Sequence, residues 1–400
     1  SALAMTAELL PRLEDWFGSP YPYAKLDLVG LAEFSAGAME NAGLVTFREE
    51  ALLIDPETSP KTQHRRVASI IAHELAHQWF GNLVTMPWWD DLWLNEAFAT
   101  WMAAKVVDAW RPGYDKRLDL LSGKQWVFGE DVLADARAVR NPVRSMAEAE
   151  AAFDGLTYVK GANVLTMIEG WIGPEPFRRG LQAYMRSHAW KNATAMDLWR
   201  ALSEASGRDV EAVFRSFVDR AGAPLVTARP VCGAEPGAPS VSLSQGRYRM
   251  LGSRTPEGFP EGGPWRIPVC VEGPSGRVCT LLGDRSGELK WEGARGCPAW
   301  IHPNASEAGY YRWALPPSTL GDLLAARDEL PQEARMGLLD QVWASVAAGL
   351  LHPDEFARAA EAMSDATERQ VVRQLARGVG RMARVWDGQK GAAMEGWARR

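Results

Sequence analysis

The chain has 400 residues, more than one hydrophobic core ordinarily serves, so two or three domains are expected. Hydrophobic residues make up 46% and charged residues 24%, which is ordinary globular usage, and no apolar run reaches the length of a membrane span. A net charge of -6, with no Lys/Arg cluster of the kind that tracks phosphates, argues against nucleic acid as a partner.

The first residues, SALAMTAELLPRLEDWFG, carry no basic stretch followed by an apolar one, so no signal peptide is visible. Because the chain starts at Ser1 rather than Met, that says little about localisation. From Lys25 to about Ala221 short apolar runs alternate with long amphipathic segments, most of them helical by pattern, and this stretch reads as one domain.

Within it, Val67, Ile70, Ile71, Leu75 and Trp79 recur at helical spacing, which predicts a helix over 62–81 with Ser59-Pro60 as its start signal and Gly81 as its stop. On that helix the run HELAHQW puts His73 and His77 one turn apart on one face, close enough to share a single ion. Glu74 beside them completes the H-E-x-x-H pattern, in which the glutamate reaches a water on the metal. A bare pair of histidines at this spacing is more often surface or core; the glutamate and the apolar helix favour a metal site.

A third ligand is available in WLNEAFATW, where Glu96 begins a second helical segment, NEAFATWMAAKVVDAW. Two histidines and a glutamate with an open fourth position form one known catalytic zinc set. Alone, Glu96 reads better as a carboxylate stabilised at a helix N-terminus. Trp88, Trp89 and Trp93 in PWWDDLW read as core packed beside that helix rather than as a stacking platform. Asp90, Asp91 and Asn95 are candidates to orient the histidine rings, since ligating imidazoles usually donate their second N–H.

At Gly222 the composition changes. From there to about Leu315, Gly, Pro and Ser are dense and apolar runs are short (SVSLS, WRIPVCVE, RVCTLL), as in an antiparallel sandwich. All four cysteines lie between 232 and 297. Cys270 and Cys279 flank EGPSGR, a predicted hairpin turning at Pro274 and Ser275, and could form a bridge, leaving Cys232 and Cys297 as a second pair. Four buried thiols are the alternative. Bridges would imply an oxidising compartment, periplasmic, extracellular or at the cell surface; free thiols would suit the cytoplasm. From Pro316 onward helical periodicity returns.

Three motifs in order carry a resemblance: GAMEN at 37–41, HELAHQWFGNLVTMPWWDDLWLNEAFATW at 73–101 and YVKGA at 158–162. Together with PLVTA, WRIPV and GYYRW they resemble the aminopeptidase N family of zinc peptidases, gluzincins related to leukotriene hydrolase, almost from end to end. The resemblance implies a multidomain α+β fold: a mostly helical thermolysin-like catalytic domain at 1–221, a small antiparallel β-sandwich domain at 222–315, and a helical segment at 316–400 that begins a shortened C-terminal domain.

It further implies one Zn2+ ion held by His73, His77 and Glu96, and Glu74 as general base and then acid. Tyr158 would be the donor to the oxyanion. Glu40 would bind the substrate's free α-ammonium, and the backbone of Gly37, Ala38 and Met39 would lie along the substrate. The implied reaction removes N-terminal residues from peptides with a free N-terminus. An epoxide hydrolase of the leukotriene-hydrolase type is the enzymatic alternative, and a non-catalytic scaffold or fragment of the same fold is the other. Members of the family usually carry an N-terminal β domain that this sequence begins too late to contain.

Overall fold

A computed structural model describes residues 1–232, 239–255, 258–291 and 296–385. The chain forms two compact units, the first of Ser1–Asp131 with Arg137–Ala221, the second of Val132–Ala136 with the chain from Gly222 onward. Helices dominate and the sheets are small, so the fold is α+β.

The first unit opens with helix α1 (Ala2–Phe17), capped by the Ser1 hydroxyl and ended by Gly18 in the left-handed region. Three short strands follow, β1 (Asp27–Leu31), β2 (Ala38–Met39) and β3 (Leu44–Arg48), in the order β1-β3-β2. β3 is parallel to β1 and antiparallel to β2, which leaves β2 at an edge. After α2 (Glu49–Leu52) comes α3 (Lys61–Ala76), then β4 (Val84–Thr85) and α4 (Trp93–Trp110).

α4 is buried along almost its whole length, from Trp93 and Phe98 to Met102 and Val107, as a helix that is apolar on all sides must be. Its aromatic residues join those of α1 and the end of α3: Phe17 stacks on Trp79 at 4.7 Å and Phe80 on Phe98 at 4.3 Å. This layer lies directly behind the histidines, because Trp79 and Phe80 follow His77 in the chain.

The remaining helices of the unit are α5 (Lys116–Asp131), α6 (Met146–Ala151), α7 (Gly161–Ile172), α8 (Pro174–His188), α9 (Ala195–Ser206) and α10 (Val210–Val218), with β5 (Lys191–Asn192) pairing β4. A π-helical turn, Leu156–Lys160, runs straight into α7. Behind it the side chains of Lys160 and Asp131 form a fully buried ion pair, Nζ lying 2.9 Å from the carboxylate. Lys160→Met alone is expected to destabilise the first unit by about 3–5 kcal/mol, because it strands a buried carboxylate. Urea denaturation measures this, and an unchanged midpoint would show that the pair contributes nothing.

The second unit contains β6 (Pro224–Val231), β7 (Ser240–Arg247), β8 (Ile267–Gly273), β9 (Gly276–Leu282), β10 (Ser286–Lys290) and β11 (Arg312–Ala314). β10-β7-β6-β11 form one sheet, antiparallel except that β11 runs parallel to β6. β8 and β9 form the expected hairpin, in which Gly273 faces Gly276 across Pro274-Ser275 and Cys270 faces Cys279. Both cysteine pairs, Cys270–Cys279 and Cys232–Cys297, are disulfides.

Helices α11 (Pro317–Ala325), α12 (Gln332–Ala347), α13 (Pro353–Ala362) and α14 (Arg369–Val385) fall in this same unit. Buried Asp340 on α12 ties them to the strands: it pairs with Arg312 of β11 and with Arg381 of α14, and accepts a hydrogen bond from Gln374. None of the described helices is long and apolar enough to cross a membrane.

Candidate active site

The end of α3 departs from its apolar pattern. The regular helix stops at Ala76 rather than near Gly81, and His77 caps it, its N–H still bonded to the carbonyl of His73 at 3.2 Å. The next amides reach back only three residues, Gln78 to Leu75 and Trp79 to Ala76; Gly81, at φ 117°, lets the chain reverse, and past it Asn82 and Leu83 reach back five, to His77 and Gln78. The helical offset of the two histidines therefore survives to the last turn. Their Nε2 atoms lie 2.9 Å apart, and Glu96 from the first turn of α4 brings Oε2 to 3.3 Å from His73 and 3.5 Å from His77.

His77 is buried, with Nδ1 at 3.1 Å from the carbonyl of Phe80 and 2.9 Å from Oδ1 of Asn95. A carbonyl can only accept, so the Nδ1 side is the donor and the lone pair of the neutral ring is on Nε2, aimed at His73. Two imidazole nitrogens and a carboxylate oxygen thus converge on one point, where their mutual repulsion is relieved by a proton or a divalent cation. Burial opposes charge on His77, but Glu96, helped by Glu40 and Glu74, outweighs it and raises the ring's pKa. Burial likewise works against the Glu96 carboxylate, and the two histidines hold its pKa well below the usual carboxylate range. The N, N, O donor set fits a cation of zinc's type.

Glu74 is buried on the same turn, and its Oε2 has no hydrogen-bond partner among the described residues. Burial pushes its pKa up to about 7, against the pull of His73 and His77. A buried carboxylate oxygen left without a partner beside a cleft is a feature that calls for an explanation. The cleft holds about 690 Å³ and is lined by Gly37, Ala38, His73, Glu74, Phe153 and Tyr158.

Edge strand β2 forms one wall. The Gly37 carbonyl accepts from the Arg48 amide at 2.9 Å, and the Arg48 guanidinium holds the carbonyls of Phe34 and Ser35 at 3.0 and 2.6 Å. Met39 is exposed. Just beyond the strand, the carbonyl of Glu40 accepts from Asn82 at 2.7 Å and Gln78 at 3.2 Å. Its carboxylate accepts from Nδ2 of Asn95 at 2.9 Å. Asn95 therefore links Glu40 to His77, and the same Nδ2 also lies 3.3 Å from Glu96. Gly81 makes room for this amide: a Cβ there would come within 1.9 Å of Asn95 Oδ1.

Tyr158 sits on the π turn, its ring stacked over that of His73 at 6.1 Å. Burial first, and the nearby Glu96 carboxylate second, raise the phenol's pKa, so it stays a neutral donor. Gly161 lets the turn lie against α4, since a Cβ at that position would meet Ala97 at 2.6 Å.

Of the three candidates to orient the histidines, only Asn95 does so. Asp90 instead accepts from the Val143 amide at 2.7 Å, and Asp91 pairs with Arg140 and with the amide of Ala195. The tryptophans also divide: Trp93 is core, whereas Trp88 is 57% exposed, its indole N–H holding the Val143 carbonyl at 2.7 Å. Gln78, Asn82 and Arg48, which set the GAMEN segment, carry no signal in periodicity or spacing.

Compared with known proteins, residues 1–217 match the Peptidase family M1 domain and residues 300–400 match the ERAP1-like C-terminal domain. The chain is 36% identical to Aminopeptidase M1 of Arabidopsis thaliana over 359 residues, which is 86% of this chain and 40% of that protein. It is 33% identical to Tricorn protease-interacting factor F2 of Thermoplasma volcanium over 364 residues, covering 91% of this chain and 44% of that one. With Aminopeptidase 2, mitochondrial, of Saccharomyces cerevisiae it shares 33% identity over 387 residues, 96% of this chain and 40% of the relative. The chain thus spans less than half the length of these relatives.

Proposed function

The chain belongs to the peptidase M1 family, and from that premise we propose that it is a zinc-dependent aminopeptidase, removing N-terminal residues from peptides that have a free α-amine. The observation that supports this most is the link from Glu40 through Asn95 to His77, which couples a nearly buried carboxylate to the donor cluster. His73, His77 and Glu96 would hold one Zn2+ ion, which supplies Lewis acidity, lowering the pKa of water and polarising a carbonyl.

The chain's own residues do the rest. Glu74 takes the proton of the attacking water and returns it to the departing amine, a task suited to a carboxyl whose pKa lies near neutrality. Tyr158 donates its phenolic hydrogen to the oxygen that becomes negative in the transition state. Glu40 binds the substrate ammonium and so limits cleavage to the first residue, since an internal segment brings no cation to offset a desolvated carboxylate. Gly37, Ala38 and Met39 offer the backbone of an edge strand, along which an extended peptide adds as a further strand. The two disulfides support an oxidising compartment, periplasmic, extracellular or at the cell surface.

The test is hydrolysis of a panel of aminoacyl fluorogenic substrates beside their N-acetylated controls by the zinc-loaded protein. Turnover of the free amines alone, lost on chelation and restored by zinc, is the expected result. Equal turnover of acetylated controls would make it an endopeptidase, and a folded, zinc-containing protein without activity would make it a scaffold.

Asn95→Ala is expected to weaken metal retention about 10- to 100-fold, because it removes one of the two acceptors that orient His77. Competition with a fluorescent chelator reads this directly. Retention equal to wild type would show that the Phe80 carbonyl orients the ring alone.

A further inference from the structure

The phenol of Tyr158 rides on a π turn, an uncommon and weakly held conformation that persists only where its surroundings enforce it. On the C-terminal side that enforcement is the buried Lys160–Asp131 pair, with Lys160 also donating to the Arg220 carbonyl at 3.2 Å. On the N-terminal side it is Asp154. One of its carboxylate oxygens accepts the amides of Leu156 at 2.9 Å and Thr157 at 3.0 Å, and its carbonyl accepts the amide of Tyr158 at 3.1 Å.

Asp154 is partly exposed and would be free to rotate away were it not gripped. Arg137 grips it with both arms of the guanidinium, Nε to Oδ2 at 2.9 Å and Nη2 to Oδ1 at 2.5 Å. Nη2 also reaches the Thr157 hydroxyl at 2.7 Å and the Ala152 carbonyl at 3.0 Å. Nη1 is anchored in turn on the carbonyls of Ala138 and Val139 at 2.8 and 3.1 Å. The guanidinium therefore ties the chain before α6 to both ends of the 152–157 loop, and the residue after its last contact is Tyr158.

We propose that Arg137 is a positioning residue for Tyr158: it touches neither the cleft nor the metal ligands, and sets where the phenol donates by locking Asp154 under the π turn. This rests on the reading of Tyr158 as a donor to the transition state. A donor that drifts by about an ångström can forfeit roughly 100-fold in rate, while substrate binding on Glu40 and β2 is untouched. The planar fork adds to the charge, because lysine would keep the charge but could not hold two carboxylate oxygens and the Thr157 hydroxyl together.

The experiment is a double-mutant cycle on the zinc-loaded 400-residue chain with Arg137→Ala and Tyr158→Phe, read as kcat and KM on an aminoacyl fluorogenic substrate. Tyr158→Phe alone should lower kcat about 100- to 1,000-fold. Arg137→Ala should lower kcat about 10- to 100-fold with KM changed less than about threefold, and should cost less than about twofold more when Tyr158→Phe is already present. Arg137→Lys, the milder variant should the alanine protein not fold, should show the same split at lower amplitude. An Arg137 loss of equal size in both backgrounds, or a loss confined to KM, would overturn the proposal and make the residue a structural one. Wild-type rates in Arg137→Ala would overturn it too. Wild-type rates in Tyr158→Phe would instead overturn the reading of Tyr158, whatever Arg137 does.

Discussion

Glu74→Gln is expected to lower kcat by about 100- to 10,000-fold, the usual contribution of a positioned general acid–base group, with the fold and the zinc content unchanged. Three features make the substitution clean. The side chain is buried on the last turn of α3, and the amide has the carboxyl's shape, so no cavity opens. No hydrogen bond to Oε2 is lost among the described residues. Burial already disfavours the charged form, pushing the pKa up to about 7, so a neutral amide removes a desolvation penalty rather than adding one. Kinetics on a free-amine substrate, metal analysis and a thermal melt are measured on the same sample. A variant that keeps its zinc and its wild-type rate would assign proton transfer to another group.

Much of this site was legible in short-range pattern. Helical spacing put His73 and His77 on one face, and the helix that follows begins where Glu96 is needed. Equal offsets about Pro274-Ser275 paired Cys270 with Cys279, because a hairpin register is fixed by its turn. What escaped the sequence depends on contacts between distant segments. Asp90, Asp91 and Asn95 look alike as polar residues ahead of a helix, and only the reversal at Gly81 decides that Asn95 meets His77.

The early end of α3 escaped for a related reason: Leu75 and Trp79 keep the apolar rhythm going while the hydrogen bonds tighten from four residues to three after His77. Trp88 reads as core by its neighbours, yet its ring is exposed and its N–H donates to the Val143 carbonyl. Arg137 lies far from every motif in sequence, and nothing in ADARAVR marks its partner Asp154. A π turn has no sequence period of its own, so YVKGA could only be read as the start of a helix.

Glu40→Gln is the change expected to separate binding of the amino terminus from the chemistry. The amide retains an oxygen that can accept from Asn95 Nδ2, so the link to His77, and with it the metal cluster, should survive. What disappears is the charge opposite the substrate ammonium. Removing one partner of a largely desolvated ion pair costs about 2–5 kcal/mol, or roughly 30- to 4,000-fold in kcat/KM for free-amine peptides. N-acetylated peptides never made that contact, and they no longer leave a buried carboxylate unpaired on binding, so their turnover should hold or rise. The ratio of free to acetylated turnover is therefore the quantity to measure, and it should collapse by at least about tenfold while zinc content stays constant. A ratio equal to that of wild type would mean that a group other than Glu40 selects the free amine; equal loss on both substrates would mean that Glu40 acts on the cluster through Asn95 rather than on the substrate.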